Sequence, residues 1–179
     1  MLLREKPYVP RRPGAGGFTL IELIVVIIIL SILAATALPR FANLQTQARI
    51  AKLNAALGAI KGAAALAHAA CLASNPQCTP MPGSGTLLME GVNVTMVNTY
   101  PTANAAGIVT AGGLNVGPTS PDGYDVSGGG PAAGDVLKVM VLGNDPNNCF
   151  FTYTAPGSGQ APVYGALTPA TASGSTTGC

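Results

Sequence analysis

Gly17-Phe18-Thr19-Leu20-Ile21-Glu22 is the stretch of this sequence whose residue types point to chemistry. A Gly-Gly step closes a leader that holds Arg4, Lys6, Arg11 and Arg12, and a run of Leu, Ile and Val begins directly after it. Of the 21 residues from Phe18 to Leu38, 14 are Phe, Leu, Ile or Val, and Glu22 is the one side chain among them able to carry a charge. A helix of that length covers roughly 30 Å, the thickness of a bilayer's hydrocarbon core. An acid near the bilayer centre costs on the order of 2.5–3.5 kcal/mol, and each apolar residue offsets roughly 0.3–0.6 kcal/mol of that. The run can therefore span with Glu22 in it. An acid kept at that cost points to a function more than to a charge that snorkels to the headgroups.

The other reactive groups are sparse. Four cysteines fall into two sets, Cys71 with Cys78 and Cys149 with the last residue, Cys179. Their even number fits two disulfides in an oxidising compartment, and no CxxC spacing suggests a metal site. Asn75-Pro76 favours a turn that brings the first two together. We expect Cys71–Cys78 and Cys149–Cys179, one of three possible pairings. His68 is the single histidine, and alone it makes neither a metal site nor a catalytic pair, so it reads as a structural helix residue. Asp122 and Asp125 offer two carboxylates, short of the six to eight oxygens that calcium takes, and read as a turn. Asn93-Val94-Thr95 matches a glycosylation sequon and is taken as chance. There is no Ser/His/Asp set, phosphate loop or metal-ligand cluster, so no enzyme, cofactor or metal is expected.

Several elements must position these groups. Charged residues are only 9% of the 179, and the chain holds 23 Gly and 15 Pro, so much of it should be loop. Four of the nine basic residues precede Gly17, and beyond it acids and bases nearly balance, leaving no basic patch for nucleic acid. The basic leader, Pro-rich and without helical period, places the N-terminus on the cytoplasmic side and the body outside. Ala35-Thr36-Ala37 resembles a secretory cleavage site. Yet the apolar run exceeds the usual 7–15 residues, contains an acid, and continues as helix past Ala37. Pro39 should kink or loosen that helix without stopping it. Ile50, Leu53, Leu57, Ile60, Ala64, Ala67 and Cys71 then step by three or four, an apolar stripe that carries helix to about Ala70. Gly58 and Gly62 form a small face beside it. Strands are expected at Thr86–Glu90, Val92–Val97, Val136–Leu142, Phe150–Thr154 and Val163–Leu167, and exposed loop over Gly117–Gly134. The simplest assembly is α+β, one antiparallel sheet of three to five strands on the helix stripe.

Gly17-Phe18-Thr19-Leu20-Ile21-Glu22-Leu23, with its basic leader and apolar helix, resembles the class III leader and N-terminal helix of type IV pilins and pseudopilins. The stretch from Pro39-Arg40-Phe41 to Asn54 is similar to the mannose-sensitive haemagglutinin (MSHA) type of pilin, with weaker likeness at Tyr100-Pro101 to Ile108 and at Cys149–Tyr153. The resemblance implies a type IV pilin fold: a long N-terminal helix, kinked near Pro39, against a small sheet with a disulfide-bonded C-terminal loop. It divides the chain into a leader (1–17), a transmembrane and filament-core helix (18–38), an amphipathic helix (39–70) and a β-sheet head (71–179). It implies cleavage between Gly17 and Phe18 by a prepilin peptidase that also N-methylates Phe18. It further implies pairing of Glu22 with the Phe18 amine of a neighbouring subunit. The expected partners are other pilin subunits and the inner-membrane assembly machinery. The chain would sit in the bacterial inner membrane, single-pass, before entering an extracellular pilus used for adhesion or motility. The alternative is a pseudopilin of a type II secretion system.

Overall fold

A computed structural model describes residues 17–73, 85–143, 149–165 and 167. The leader up to residue 16, Cys78 and Cys179 therefore lie outside the described residues. One helix, α1 (Leu20–Ala73, 54 residues), is followed by strands β1 (Gly85–Met89), β2 (Val92–Val97), β3 (Tyr100–Pro101), β4 (Tyr124–Gly128), β5 (Val136–Val141), β6 (Phe150–Thr154) and β7 (Val163–Tyr164). A π-helical turn, Ala105–Val109, kinked at Gly107 (φ −99°, ψ −106°), sits between β3 and β4. The chain divides into two compact units, Met1–Phe41 and Ala42–Cys179.

In the first unit the apolar residues of α1 have nothing to pack on among the described residues. Leu20 through Leu38 form a 19-residue segment with a mean hydropathy of 2.8 and no buried residue. The hydroxyls within it turn back onto the helix. Ser31 Oγ donates to Ile27 O at 2.6 Å and Thr36 Oγ1 to Leu33 O at 2.9 Å, which suits a segment surrounded by hydrocarbon. The secondary structure stays helical through Pro39.

In the second unit the expected stripe is the core. Leu53, Ala56, Ile60, Ala63, Ala64, Ala67 and Cys71 are all buried, with Ile50 and Leu57 partly so. The stripe serves two sheets where one was expected. Leu53, Ala56, Ile60 and Ala64 pack with Leu137, Val139, Phe151 and Tyr153 of the four-stranded sheet β4-β5-β6-β7. Ala67 and Cys71 pack with Leu87, Val94 and Met96 of the three-stranded sheet β1-β2-β3. All strand pairings are antiparallel. Burial of each Leu, Ile or Phe in such a core contributes roughly 1.5–3 kcal/mol.

Two expectations need correction. Residues 117–134 are not simply exposed loop, because β4 lies inside them with Tyr124 buried and paired to Val141. Its two apolar residues, Tyr124 and Val126, alternate correctly for a strand, but glycines and serines surround them. The glycine run after β4 is itself a packing device. Gly128 and Gly129 have φ of 72° and 83°, and a side chain on Gly129 would collide with the Ala103 carbonyl. Gly130 N donates to that carbonyl at 2.9 Å, so an isolated bridge joins the two sheets there.

The second correction is the single sheet. The ladder breaks after Pro101 because the chain enters the π-helical turn. Asn104 caps this turn, its Oδ1 accepting from Gly107 N at 2.8 Å. Thr102 is fully buried beneath it, and its hydroxyl is hydrogen-bonded with Thr95 Oγ1 at 2.5 Å and Asn104 Oδ1 at 3.0 Å. These contacts satisfy the buried hydroxyl, which otherwise costs ~1–3 kcal/mol.

Candidate functional site

The candidate site lies at the start of α1. Gly17 and Phe18 are exposed, Phe18 at 92%, and nothing crowds the Gly17 Cα. The Gly17–Phe18 peptide is thus open ahead of the helix. Thr19 is the first capping residue. Its N–H and its hydroxyl both donate to Glu22 Oε2 at 2.8 Å, and Glu22 N donates back to Thr19 Oγ1 at 3.3 Å. This is a reciprocal capping box, Thr-x-x-Glu. It satisfies helix-terminal N–H groups and holds a carboxylate at the positive end of the helix dipole.

Glu22 therefore has an intramolecular role that the sequence reading did not assign. The signal was present as a Thr three residues before a Glu. Around the carboxylate the helix surface is apolar: Phe18, Ile21, Val25 and Val26 flank it. Both hydrogen bonds to Thr19 fall on Oε2, so Oε1 keeps its accepting capacity. A carboxylate accepts at about four sites, and a cation brought to Oε1 would meet it in an apolar surround. Among the expected site residues, Gly17, Phe18 and Glu22 lie together at this helix start.

The other candidates lie apart from it. Cys71 and Cys149 are buried and neither is a free thiol, while their expected partners lie outside the described residues. Pro39 is in α1. Gly58 and Gly62 are exposed, with nothing within 4 Å of an added Cβ, so no helix or strand among the described residues approaches them. Asp122 Oδ2 accepts from Asn115 Nδ2 at 2.7 Å within a turn, and the described residues include no group of three or more potential metal-ligating side chains. His68 is more than a helix residue. Its ring stacks on Tyr100 at 4.1 Å with the planes 1° apart, and Nδ1 meets Thr99 O at 3.2 Å and Thr99 Oγ1 at 3.0 Å.

Tyrosines tie the second unit together. Tyr124 hydroxyl donates to Lys52 O at 3.0 Å and its ring lies under the Lys52 ammonium at 4.8 Å. Burial, reinforced by the Asp122 charge, makes Tyr124 harder to ionise than a free phenol. Burial likewise raises the pKa of Tyr153, with smaller contributions from Tyr164 and Tyr100.

An open Gly-Phe step, a capped helix start bearing one acid, and an exposed apolar helix long enough to cross a membrane define this end of the chain. In keeping with this, residues 12–38 match the family described as the prokaryotic N-terminal methylation motif. The chain is also similar to the type IV narrow pilus major component PilA5 of Thermus thermophilus, with 51% identity over 53 residues. That similarity takes in 30% of this chain and 46% of the relative, so the match spans less than half of the relative's length. Both findings support the type IV pilin family, the first of them at residues 12–38, and neither singles out the MSHA type. No solved structure matches this chain.

Proposed function

We propose that this chain is a prepilin, the structural precursor of a filament subunit of the type IV pilus kind, MSHA-like, for attachment or motility. The observation that carries the reading is the Thr19–Glu22 capping box directly behind the open Gly17–Phe18 peptide, at the head of an unburied apolar helix.

On this reading a prepilin peptidase cuts between Gly17 and Phe18 and methylates the new amine. The leader's charge holds residues 1–17 on the cytoplasmic side of the inner membrane. Residues 18–38 anchor the stored subunit and later form the filament core, while 39–70 carry the head of residues 71–179. The Phe18 amine of an incoming subunit meets Glu22 of its neighbour. Two charges that are each costly in hydrocarbon favour the one register in which they meet. Pro39 supplies a kink for packing into that core. Cys71–Cys78 and Cys149–Cys179 close loops of the head, contributing about 2.5 and about 3.7 kcal/mol by loop-closure entropy. The protein is a substrate and a building unit, with no catalytic role.

The test is to shear surface filaments from cells expressing the chain, then measure intact mass and N-terminal residue. Methylated Phe18 and two disulfides in abundant filaments are the expected result. A mature chain beginning at Leu38, or no filaments, rules the reading out.

A further inference from the structure

The three-stranded sheet ends in a strand edge that the filament reading does not use. The strand order is β1-β2-β3, so β1 has a neighbour on one side only. β1 and β2 are joined by the two-residue turn Glu90-Gly91, with φ of 48° and 84°. Positive φ at both positions marks a type I′ turn. The hydrogen bond that closes such a turn makes Met89 and Val92 a bonded pair. Bonded and non-bonded pairs then alternate along an antiparallel ladder. Gly85, Leu87 and Met89 therefore direct their backbone groups to β2, and those of Thr86 and Leu88 point away from it. Thr95, the partner of Thr86, has the matching phase. It turns its carbonyl to the other side, accepting from Thr102 N at 2.9 Å. Among the described residues none bonds the backbone N–H or C=O of Thr86 or Leu88.

This edge also lacks protection. Edge strands are usually blunted by Lys, Pro, inward charges or a covering segment. β1 reads Gly-Thr-Leu-Leu-Met, with no charge and no proline. Thr86 and Leu88 are both exposed, Leu88 at 65%. The β4 edge of the four-stranded sheet differs. An isolated bridge sets Val116 beside Tyr124, and Gly117 N donates to Tyr124 O at 3.0 Å. At the other edge, β7 is only two residues long. The sequence ahead of β1 is a poor ladder partner, since Pro76, Pro80 and Pro82 have no N–H to donate.

We propose that the outer edge of β1 pairs with the same edge of a second copy of this chain. The two strands run antiparallel about a two-fold axis at Leu87. Thr86 of each copy then faces Leu88 of the other, and each such pair exchanges both of its backbone hydrogen bonds. The residues whose backbone groups are open are thus the ones that the two-fold axis sets opposite each other. Neither strand carries a charge, so the pairing brings no like charges together. Each Leu88 gains cover from the Thr86 across from it, and the two three-stranded sheets run on as one. A two-fold contact is closed, joining two copies and no third. So short a contact buries well under the ~1,200 Å² of a stable interface. The pair is accordingly weak between single subunits and multiplies where many copies are held in an array. It uses none of residues 17–22 and needs no filament, so it holds or fails independently of the filament reading.

The experiment measures amide hydrogen exchange in the full-length, isotope-labelled protein in detergent micelles, from dilute samples up to the millimolar range. The amides of Thr86 and Leu88 should exchange more slowly as concentration rises. Those of Gly85, Leu87 and Met89, already held by β2, should change little. Leu88→Lys should weaken the association about tenfold, since both symmetry-related pairs are lost at once. Thr86→Lys combined with Leu88→Glu should restore it, because each Lys then faces the Glu of the other copy. A shift of register by two residues would instead oppose like charges. Both positions are exposed, so the variants should keep the parent's amide spectrum elsewhere. Exchange at Thr86 and Leu88 that is fast at every concentration overturns the proposal. So does slow exchange that ignores concentration, which would mean the chain's own residues cover the edge. An unchanged association in Leu88→Lys, or a double variant no stronger than the single one, overturns it as well.

Discussion

The Tyr153 hydroxyl, one residue from the end of β6, donates to the carbonyl oxygen of Pro101 in β3 at 2.7 Å. This bond crosses from the four-stranded sheet to the three-stranded one. Tyr153 is fully buried, and Pro101 is among the fully buried residues too. Tyr153→Phe keeps the ring and leaves the carbonyl without that donor. An unmet buried acceptor costs ~1–3 kcal/mol. The variant is expected to fold and to melt several degrees lower by circular dichroism, and an unchanged melting temperature would refute the assignment.

Alkaline pH should weaken the same unit. Tyr124, Tyr153 and Tyr164 all ionise less readily in the fold than in the unfolded chain, burial being the main cause in each. The free phenol titrates near pH ~10. Above that pH the unfolded chain releases protons that the folded chain retains, so stability is full below about pH 10 and declines above it. Thermal melts at pH 8 and at pH 11 should show the decline, and Tyr153→Phe should make it shallower.

At the helix start, Glu22→Ala and Thr19→Ala separate two roles of one carboxylate. Loss of an N-cap residue costs ~0.5–2 kcal/mol of helix stability. Thr19→Ala removes the hydroxyl that Glu22 holds but leaves the acid in place. It is expected to lower filament yield severalfold without ending assembly. Glu22→Ala removes the acid, and should permit membrane insertion and leader cleavage while abolishing filaments. Immunoblots for leader cleavage and electron microscopy of sheared material give the readouts. Normal filaments from Glu22→Ala would contradict the register role.

Two glycine substitutions should act in opposite directions. A Cβ on Gly107 would run into both the hydroxyl and the backbone of Thr102. Gly107→Ala should therefore destabilise the head by at least ~1–3 kcal/mol, as overpacking does. Gly58 meets nothing within 4 Å and sits on an exposed helix face. Gly58→Ala should stabilise the isolated subunit by roughly 0.5–1 kcal/mol through helix propensity. Chemical denaturation of the two variants beside the parent measures both.

Legibility in the sequence followed the strength of the local pattern. Val92–Val97 and Phe150–Thr154 stand where their alternation puts them, and the stripe from Leu53 to Cys71 is the core it promises. Thr86–Glu90 shifts by one residue because Glu90 and Gly91 take positive φ as the turn of a hairpin. Tyr124–Gly128 escaped because two apolar residues are too few to stand out among glycines and serines. The π-helical turn escaped for another reason. It depends on Thr95, Thr102 and Asn104 meeting in space, and Thr95 is seven residues from Thr102. The stack of His68 on Tyr100 joins α1 to a strand far along the chain, so the lone histidine gave no sign of it. Thr19 was legible, yet the apolar run drew the reading toward membrane insertion and away from the helix cap.

The helix stripe passes from one core to the other between Ala64 and Ala67, a single turn. Both cores of the head are thus threaded on one rigid rod. Tension applied along that rod shears the two cores together instead of peeling strands one at a time. Proteins loaded in shear resist sudden extension better than those that unzip. The head should accordingly yield in one abrupt step under pulling, and stay whole up to that force.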